Sequence, residues 1–231
     1  MTILVGTSGW SYKQWKGTFY PADLAADDML RYYGTRLPTV EINNSFYRIP
    51  KEKVLLEWAD QVPPAFRFVL KASRRITHIN RLRDEDGSLG YFLRTVNVLG
   101  EKLGPTLFQC PPSLPKNMEL LGGFLAKVPR TWRAALEFRH QSWFDDEVYD
   151  ALRAHDIALV GVEEDEGATP LVPTASWGYL RLRKAEYGDG ELRGWAERIG
   201  SQPWAETFVF LKHDEDSPAG PAAATRLKEM V

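Results

Sequence analysis

Glu41 and Asn43, Glu137 and Arg139, and Arg181 and Arg183 form three pairs in which a single apolar residue separates two polar ones. Each pair ends an apolar run: Thr39–Asn43, Arg133–Arg139 and Gly178–Arg183. Side chains alternate across an extended backbone, so the members of each pair share a face if these runs are strands. Two carboxylates facing one space can divide acid and base work between them, as in glycoside hydrolysis. Glu41 and Glu137 are therefore the candidate catalytic pair, one as acid or nucleophile and the other as base. Arginine forks suit phosphate and carboxylate oxygens. Arg139 and Arg181, with Lys71, are candidates to hold an anionic substrate. Asn43, Gln109, His78 and His140 lie at or just beyond strand ends and join them as candidate binding residues. Trp10 belongs to GTSGWSYKQWKGTFYP, whose aromatics are too dense for one strand face. They can offer a stacking surface for a base or sugar ring, or pack as a lid over the rim, the reading their large burial favours.

A structural account competes with this chemistry. Buried ions cost several kcal/mol each unless paired, and Glu41 or Glu137 against Arg139, Lys71 or Arg181 would satisfy one another. Function is favoured because the polar residues come from many strands yet gather at one end. The segment KASRRITHINRLR, with Lys71, Arg74, Arg75, Arg81, Arg83 and His78, reads equally as an anion-binding rim or a solvated, partly helical loop. In the acidic run Glu163–Glu166, Glu163 is the residue expected to reach the site. Cys110 reads as a small core residue, since no partner at telling spacing accompanies it. No GxSxG nucleophile elbow is present.

No cofactor is expected. The alternative is a divalent metal held by His78, His140 and His213 with Glu41, Glu137, Glu163 and Asp214. Against it, the chain has no HxH or HExxH pair, and Lys71, Arg139 and Arg181 would repel a cation.

The elements that must position these residues alternate. Apolar, β-branched runs at Ile3–Thr7, Thr39–Asn43, Arg67–Ala72, Thr106–Cys110, Arg133–Arg139, Ala158–Val162, Gly178–Arg183 and Thr207–Lys212 read as eight strands. Helical patterns follow at Leu24–Leu37, Pro50–Gln61, Leu89–Leu103, Met118–Lys127, Asp145–His155, Glu191–Gly200 and Ala222–Met230, with Gly104-Pro105 as a terminator. Gly167–Trp177 reads as loop. Strict alternation argues for a parallel sheet covered by helices. Eight units over residues 1–231 predict an α/β fold: one (β/α)8 TIM-type barrel domain, irregular between strands six and seven. The polar pairs then stand at the C-terminal mouth, where barrels of this type carry their sites. An open doubly wound sheet is disfavoured, because Gly6-Thr7-Ser8-Gly9 lacks the phosphate-turn spacing.

Composition bounds the rest. The 231 residues carry a formal net charge of −2, so an anion site must be a local patch. One cysteine excludes an intrachain disulfide and suits a reducing cytoplasm. Neither a signal-peptide pattern nor a membrane-spanning apolar run is read. The expected partner is a small anionic substrate or a short nucleic acid, and not a membrane.

Five motifs carry a resemblance: GTSGWSYKQWKGTFYP, VEINNSFYRIP, FRFVLKASRRITH, LGPTLFQCPPS and LEFRHQSW. In this order they resemble the YecE-like family, also called domain of unknown function 72. The resemblance implies a (β/α)8-type barrel and brings no established activity. Relatives usually carry His-Gly where this chain has Arg183-Lys184, and often an aromatic-Asn-Asn where it has Leu211-Lys212-His213-Asp214. The site beyond Trp143 therefore rests on position alone. The resulting expectation is an enzyme performing hydrolase-like acid–base chemistry, phosphodiesterase-like in one form, on a phosphorylated, nucleotide-like or sugar-like anion. The alternative is a non-catalytic module that binds phosphate or nucleic acid.

Overall fold

The computed structural model describes residues 1–83, 85–212 and 219–231. Its strands are β1 (Thr2–Ser8), β2 (Thr39–Ile42), β3 (Arg67–Lys71), β4 (Leu103–Gln109) and β5 (Ala134–Glu137). They continue as β6 (Ala158–Leu159), β7 (Gly161–Glu164), β8 (Gly167–Ala168), β9 (Trp177–Leu182) and β10 (Glu206–Leu211). The helices are α1 (Met29–Arg36), α2 (Glu52–Ala59), α3 (Ser88–Val96), α4 (Met118–Lys127), α5 (Asp146–Arg153), α6 (Asp189–Gly200) and α7 (Ala219–Met230). The ten-stranded sheet is mostly parallel, in the order β6-β5-β4-β3-β2-β1-β10-β9-β7-β8, and it curls. The first and last long strands pair, with Val5 opposite Val209.

Two features bend the pattern away from eight regular units. The predicted strand Ala158–Val162 is divided in two. Ala158 and Leu159 pair with β5, and the Val160 N–H donates to Leu136 O. Gly161 to Glu163 then pair with β9. Gly161 marks the exchange: a Cβ there would lie 2.9 Å from Leu180 and 3.0 Å from Leu171 side-chain carbons. The predicted loop Gly167–Trp177 opens with β8, which folds back antiparallel on β7.

Local chemistry explains the other departures. The predicted helix Leu89–Leu103 ends at Val96, and a 3-10 segment (Asn97–Lys102) carries the chain on through Gly100 at φ 54°. Gly104-Pro105 does not precede β4 but lies within it. Pro105 has no N–H to give, and the β3–β4 register shifts between Phe68 and Leu70, as expected of a strand proline at a bulge.

Alternation sorts the core into two bodies. Between sheet and helices lies the larger one, including Val5, Phe68, Phe108, Leu136 and Leu180. On the concave face lies a second, including Leu4, Val69, Leu107, Ala135, Val160, Tyr179 and Phe208. At the N-terminal end of the strands, Arg133 pairs with Glu206 and stands 4.6 Å over the Trp177 ring. The bland sequence at Thr39, Ala134 and Ala158 thus conceals an ion pair beside aromatic rings. No helix among the described residues is long and apolar enough to cross a membrane.

Close approach of β1 to β2 requires Gly6, because a Cβ there would stand 2.0 Å from the Thr39 carbonyl oxygen. Gly122, inside α4, has nothing within 4 Å of a built Cβ. Gly6→Ala should destabilise by about 1–3 kcal/mol through overpacking, whereas Gly122→Ala should stabilise by about 0.5–1 kcal/mol. Urea midpoints at constant m-value measure both. Equal midpoints for Gly6→Ala and wild type would contradict the β1–β2 contact.

Candidate functional site

The concave-face cluster turns polar where the strands end. Arg181, the penultimate residue of β9, is only 2% exposed, and Glu41 in β2 and Glu137 at the end of β5 are 0% and 1% exposed. The three form one unit. Arg181 Nη2 donates to Glu41 Oε1 at 2.8 Å, and Nη1 donates to Glu137 Oε2 at 2.7 Å. Glu41 Oε1 also accepts from Ser8 Oγ (2.8 Å) and Asn43 Nδ2 (3.0 Å), and Oε2 accepts from Tyr179 Oη (2.6 Å). Glu137 Oε1 accepts from Gln109 Nε2 (2.7 Å) and Arg139 Nε (3.0 Å). All four carboxylate oxygens are therefore engaged.

These contacts decide the protonation states. Burial, the largest single influence, would raise both carboxyls, but the Arg181 charge and the hydrogen bonds together outweigh it. Arg181 with its hydrogen bonds holds Glu41 below the ordinary carboxylate range, aided by Tyr179 and Ser8. Arg181 and Arg139 together bring Glu137 down to about 2. Burial, then the Glu41 charge, pushes the Tyr179 phenol well up, so it stays a donor.

Lys71, at the end of β3, is set differently. Its Nζ donates to Gln109 Oε1 at 2.8 Å and stands 4.3 Å over the Phe46 ring. Burial first, then the Arg181 and Arg139 charges, bring it down to about 8, against the pull of Glu137 and Glu41. His78 lies edge-on to Phe46 at 4.8 Å, and its Nδ1 meets Thr77 Oγ1 at 2.8 Å. Burial and the charges of Lys71, Arg139 and Arg74 lower its pKa further, which keeps it neutral at pH 7.

Beyond this layer a cavity of about 590 Å³ opens beside β5 and the β7–β8 hairpin, lined by Glu137, Arg139, Glu164, Pro112, Phe144 and Pro170 among others. Glu164 Oε1 lies 3.6 Å from Arg139 Nη2 and 3.4 Å from Arg183 Nε. The acid that reaches the mouth is thus Glu164 and not Glu163. Val162 points into the concave cluster, and alternation puts Glu164 in phase with it. Glu163 turns to α6, accepting from Trp195 Nε1 at 2.7 Å and facing Lys184 at 3.3 Å.

Of the residues singled out from sequence, Glu41, Asn43, Lys71, Gln109, Glu137, Arg139 and Arg181 are joined in one hydrogen-bond network. His78 borders it through Phe46. His140 is not in it: its Nδ1 accepts from Ser142 N–H at 3.2 Å and meets Ser142 Oγ at 2.8 Å, fastening the turn after β5. Trp143 completes that turn, stacked 4.4 Å from Phe138 with its Nε1 donating to Leu114 O. Trp10 packs edge-on against Trp58 at 5.0 Å in another cavity, beside Asp27, Glu57 and Asp60. Its neighbours Trp15 and Tyr20 are buried, so this motif is chiefly packing. Cys110 is buried and its thiol pushed up. His213 and Asp214 lie outside the described residues. Among those described, no three His, Cys, Asp or Glu side chains gather as a metal site. Ser8, Tyr179, Phe46 and Glu164 were missed from sequence. Ser8, Tyr179 and Glu164 sit two residues from Gly6, Arg181 and Val162, so period-two counting from those positions finds them.

Removing the arginine strands two buried carboxylates. Arg181→Met should cost about 3–5 kcal/mol or prevent folding, as for other broken buried pairs. Glu137 adds a pH signature. Its folded pKa of about 2 lies below the ordinary 4.5. Its contribution is complete above pH 4.5 and is lost as pH falls toward 2. Glu137→Gln should flatten that limb of the acid-unfolding curve, and an unchanged limb would contradict the network.

Comparison with known proteins agrees with this architecture. The family model described as "Protein of unknown function DUF72" matches residues 4–231. The UPF0759 protein YecE of Escherichia coli K12 is 29% identical over 143 residues, 62% of this chain and 50% of that protein. The chain thus spans about half the length of that relative. The UPF0759 protein YunF of Bacillus subtilis 168 is 25% identical across 92% of this chain and 79% of its own length. A DUF72 family protein from Thermotoga maritima MSB8 superposes with TM-score 0.88 at 28% identity, covering 100% of this chain and 99% of that one. One from Enterococcus faecalis V583 gives 0.82 at 20% identity, covering 99% and 95%, and speaks to the fold alone. With its family model matched almost end to end, the chain belongs to the DUF72 family.

Proposed function

We propose that this protein is an enzyme that takes a small anionic substrate, phosphorylated or sugar-like, at the C-terminal ends of its strands. The sheet is read here as an irregular eight-stranded barrel, with residues 158–164 acting as one strand that changes partners. The buried single cysteine suits a cytoplasmic setting.

One observation carries the reading: among the described residues, the polar mouth holds more cations than carboxylates. Lys71, Arg139, Arg181 and Arg183 face Glu41, Glu137 and Glu164. Arg181 is consumed by its two carboxylates. Arg139 keeps 36% of its side chain exposed, so part of its fork is open to an incoming anion beside the cavity. The apolar walls from Pro112, Phe144 and Pro170 suit a ring attached to that anion, as pockets with few placed polar groups do.

The roles within the mouth follow from protonation. Glu41 and Glu137 are ionised at neutral pH and fully hydrogen-bonded, which suits positioning residues that keep Arg181 fixed better than an acid and a base. Lys71 has the pKa matched to proton transfer near pH 7. A binding module without chemistry is the second reading, and it uses the same cations.

Titration with a nucleoside monophosphate at several salt concentrations tests the anion site. We expect affinity that weakens with salt and falls in Arg139→Gln/Arg183→Gln. For a short single strand the log–log slope should be about −0.7 for each phosphate neutralised. Binding that is absent, salt-independent or unchanged in the double variant overturns the reading. Product analysis of the same mixtures separates enzyme from binding module, and turnover lost in Lys71→Met with binding retained supports the enzyme.

A further inference from the structure

Lys71 differs from the other cations of the mouth in its partners. Among the described residues its Nζ has no carboxylate within salt-bridge distance. It is held by a neutral acceptor, Gln109 Oε1 at 2.8 Å, and by the face of Phe46. Gln109 is itself fixed by donating to Glu137. The amine is thus oriented at the end of β3 and half-buried.

We propose that Lys71 is a nucleophilic amine that forms an imine with an aldehyde or ketone carrying an acidic group, as a 2-oxo acid does. The free amine adds to the carbonyl carbon and forms the C–N bond while one N–H proton moves to the carbonyl oxygen. The hydroxyl then departs as water with the second N–H proton, leaving C=N. Uptake of one solvent proton gives the iminium, and no oxidant or reductant is needed. A lysine desolvated next to other cations is activated in this way, because its neutral form is favoured. The surroundings of Lys71 agree: burial first, then the Arg181 and Arg139 charges, with Glu137 and Glu41 opposing, bring it to about 8. The acidic group of the substrate would meet the open part of Arg139. This assignment rests on the anion-site reading for its substrate class, but not for the reactivity of the amine.

The test is reductive trapping on the full chain. Pyruvate, or its neutral methyl ester, is added with cyanoborohydride, which delivers hydride to the iminium carbon and fixes a secondary amine. Peptide mapping should place one dominant adduct on Lys71, with labelling rising through pH about 8. Lys71→Arg, which keeps the charge, and Lys71→Met should both lose it while retaining the wild-type melting curve. Adducts spread over surface lysines, or equal labelling of a folded Lys71→Arg, overturn the proposal. Faster labelling by pyruvate than by the ester supports both readings. Equal rates at Lys71 would leave the nucleophile standing and remove the anion site, and a Lys71 inert to both reagents removes the nucleophile alone.

Discussion

One guanidinium holds the mouth of this fold together. Arg181 reaches from β9 to Glu41 on β2 and Glu137 on β5, so three strands distant in sequence are tied at one level. Taking three ions out of water costs several kcal/mol apiece unless every lone pair and proton finds a partner. That demand accounts for the surrounding residues. Ser8, Asn43 and Tyr179 complete Glu41, while Gln109 and Arg139 complete Glu137. Two carboxylates and one guanidinium leave a residual negative charge, and Arg139 and Lys71 stand where they can balance it.

Such a network rigidifies what it contains and so shapes what lies above it. With both carboxylates committed to Arg181, the groups left adjustable are those on the outer side: Lys71, whose partners are an amide and an aromatic ring, and Arg139, partly in solvent. Committed and adjustable groups are separated by depth along the same strands. The apolar concave layer lies lowest, the ion network above it, and the titrating and exposed cations at the rim. At the opposite end Arg133 stands against the rings of Trp177 and Phe208.

Much of this is legible in the sequence. The strand runs from Ile3 to Leu211 and the helix Met118–Lys127 follow from apolar periodicity, because a strand buried on one face and a helix packed on one side leave periods of two and 3.6. The Gly104-Pro105 signal misled: a proline can end a helix, but it is also tolerated at a bulge inside a strand, and local residues do not distinguish the two. The Glu163/Glu164 phase was misjudged for a similar reason. One residue of frame decides which face a side chain takes: Ala158, Val160 and Val162 keep one phase on the concave face, and Glu164, not Glu163, continues it.

The sequence by itself determined the family, the alternating strands and helices, and the set of ionisable residues at the strand ends, since these depend on local periodicity and residue type. It also placed Glu41 with Asn43, Glu137 with Arg139, and Arg181 with Arg183 on shared faces. Only the tertiary structure decided who pairs with whom. Arg181 and not Arg139 is the buried partner of both acids, Trp10 and His140 serve other packing, and Lys71 has no carboxylate partner among the described residues. Those outcomes depend on distances across the curled sheet between residues up to 140 positions apart, and on burial, which multiplies the strength of each charge interaction. Neither quantity is encoded in any short window of the chain.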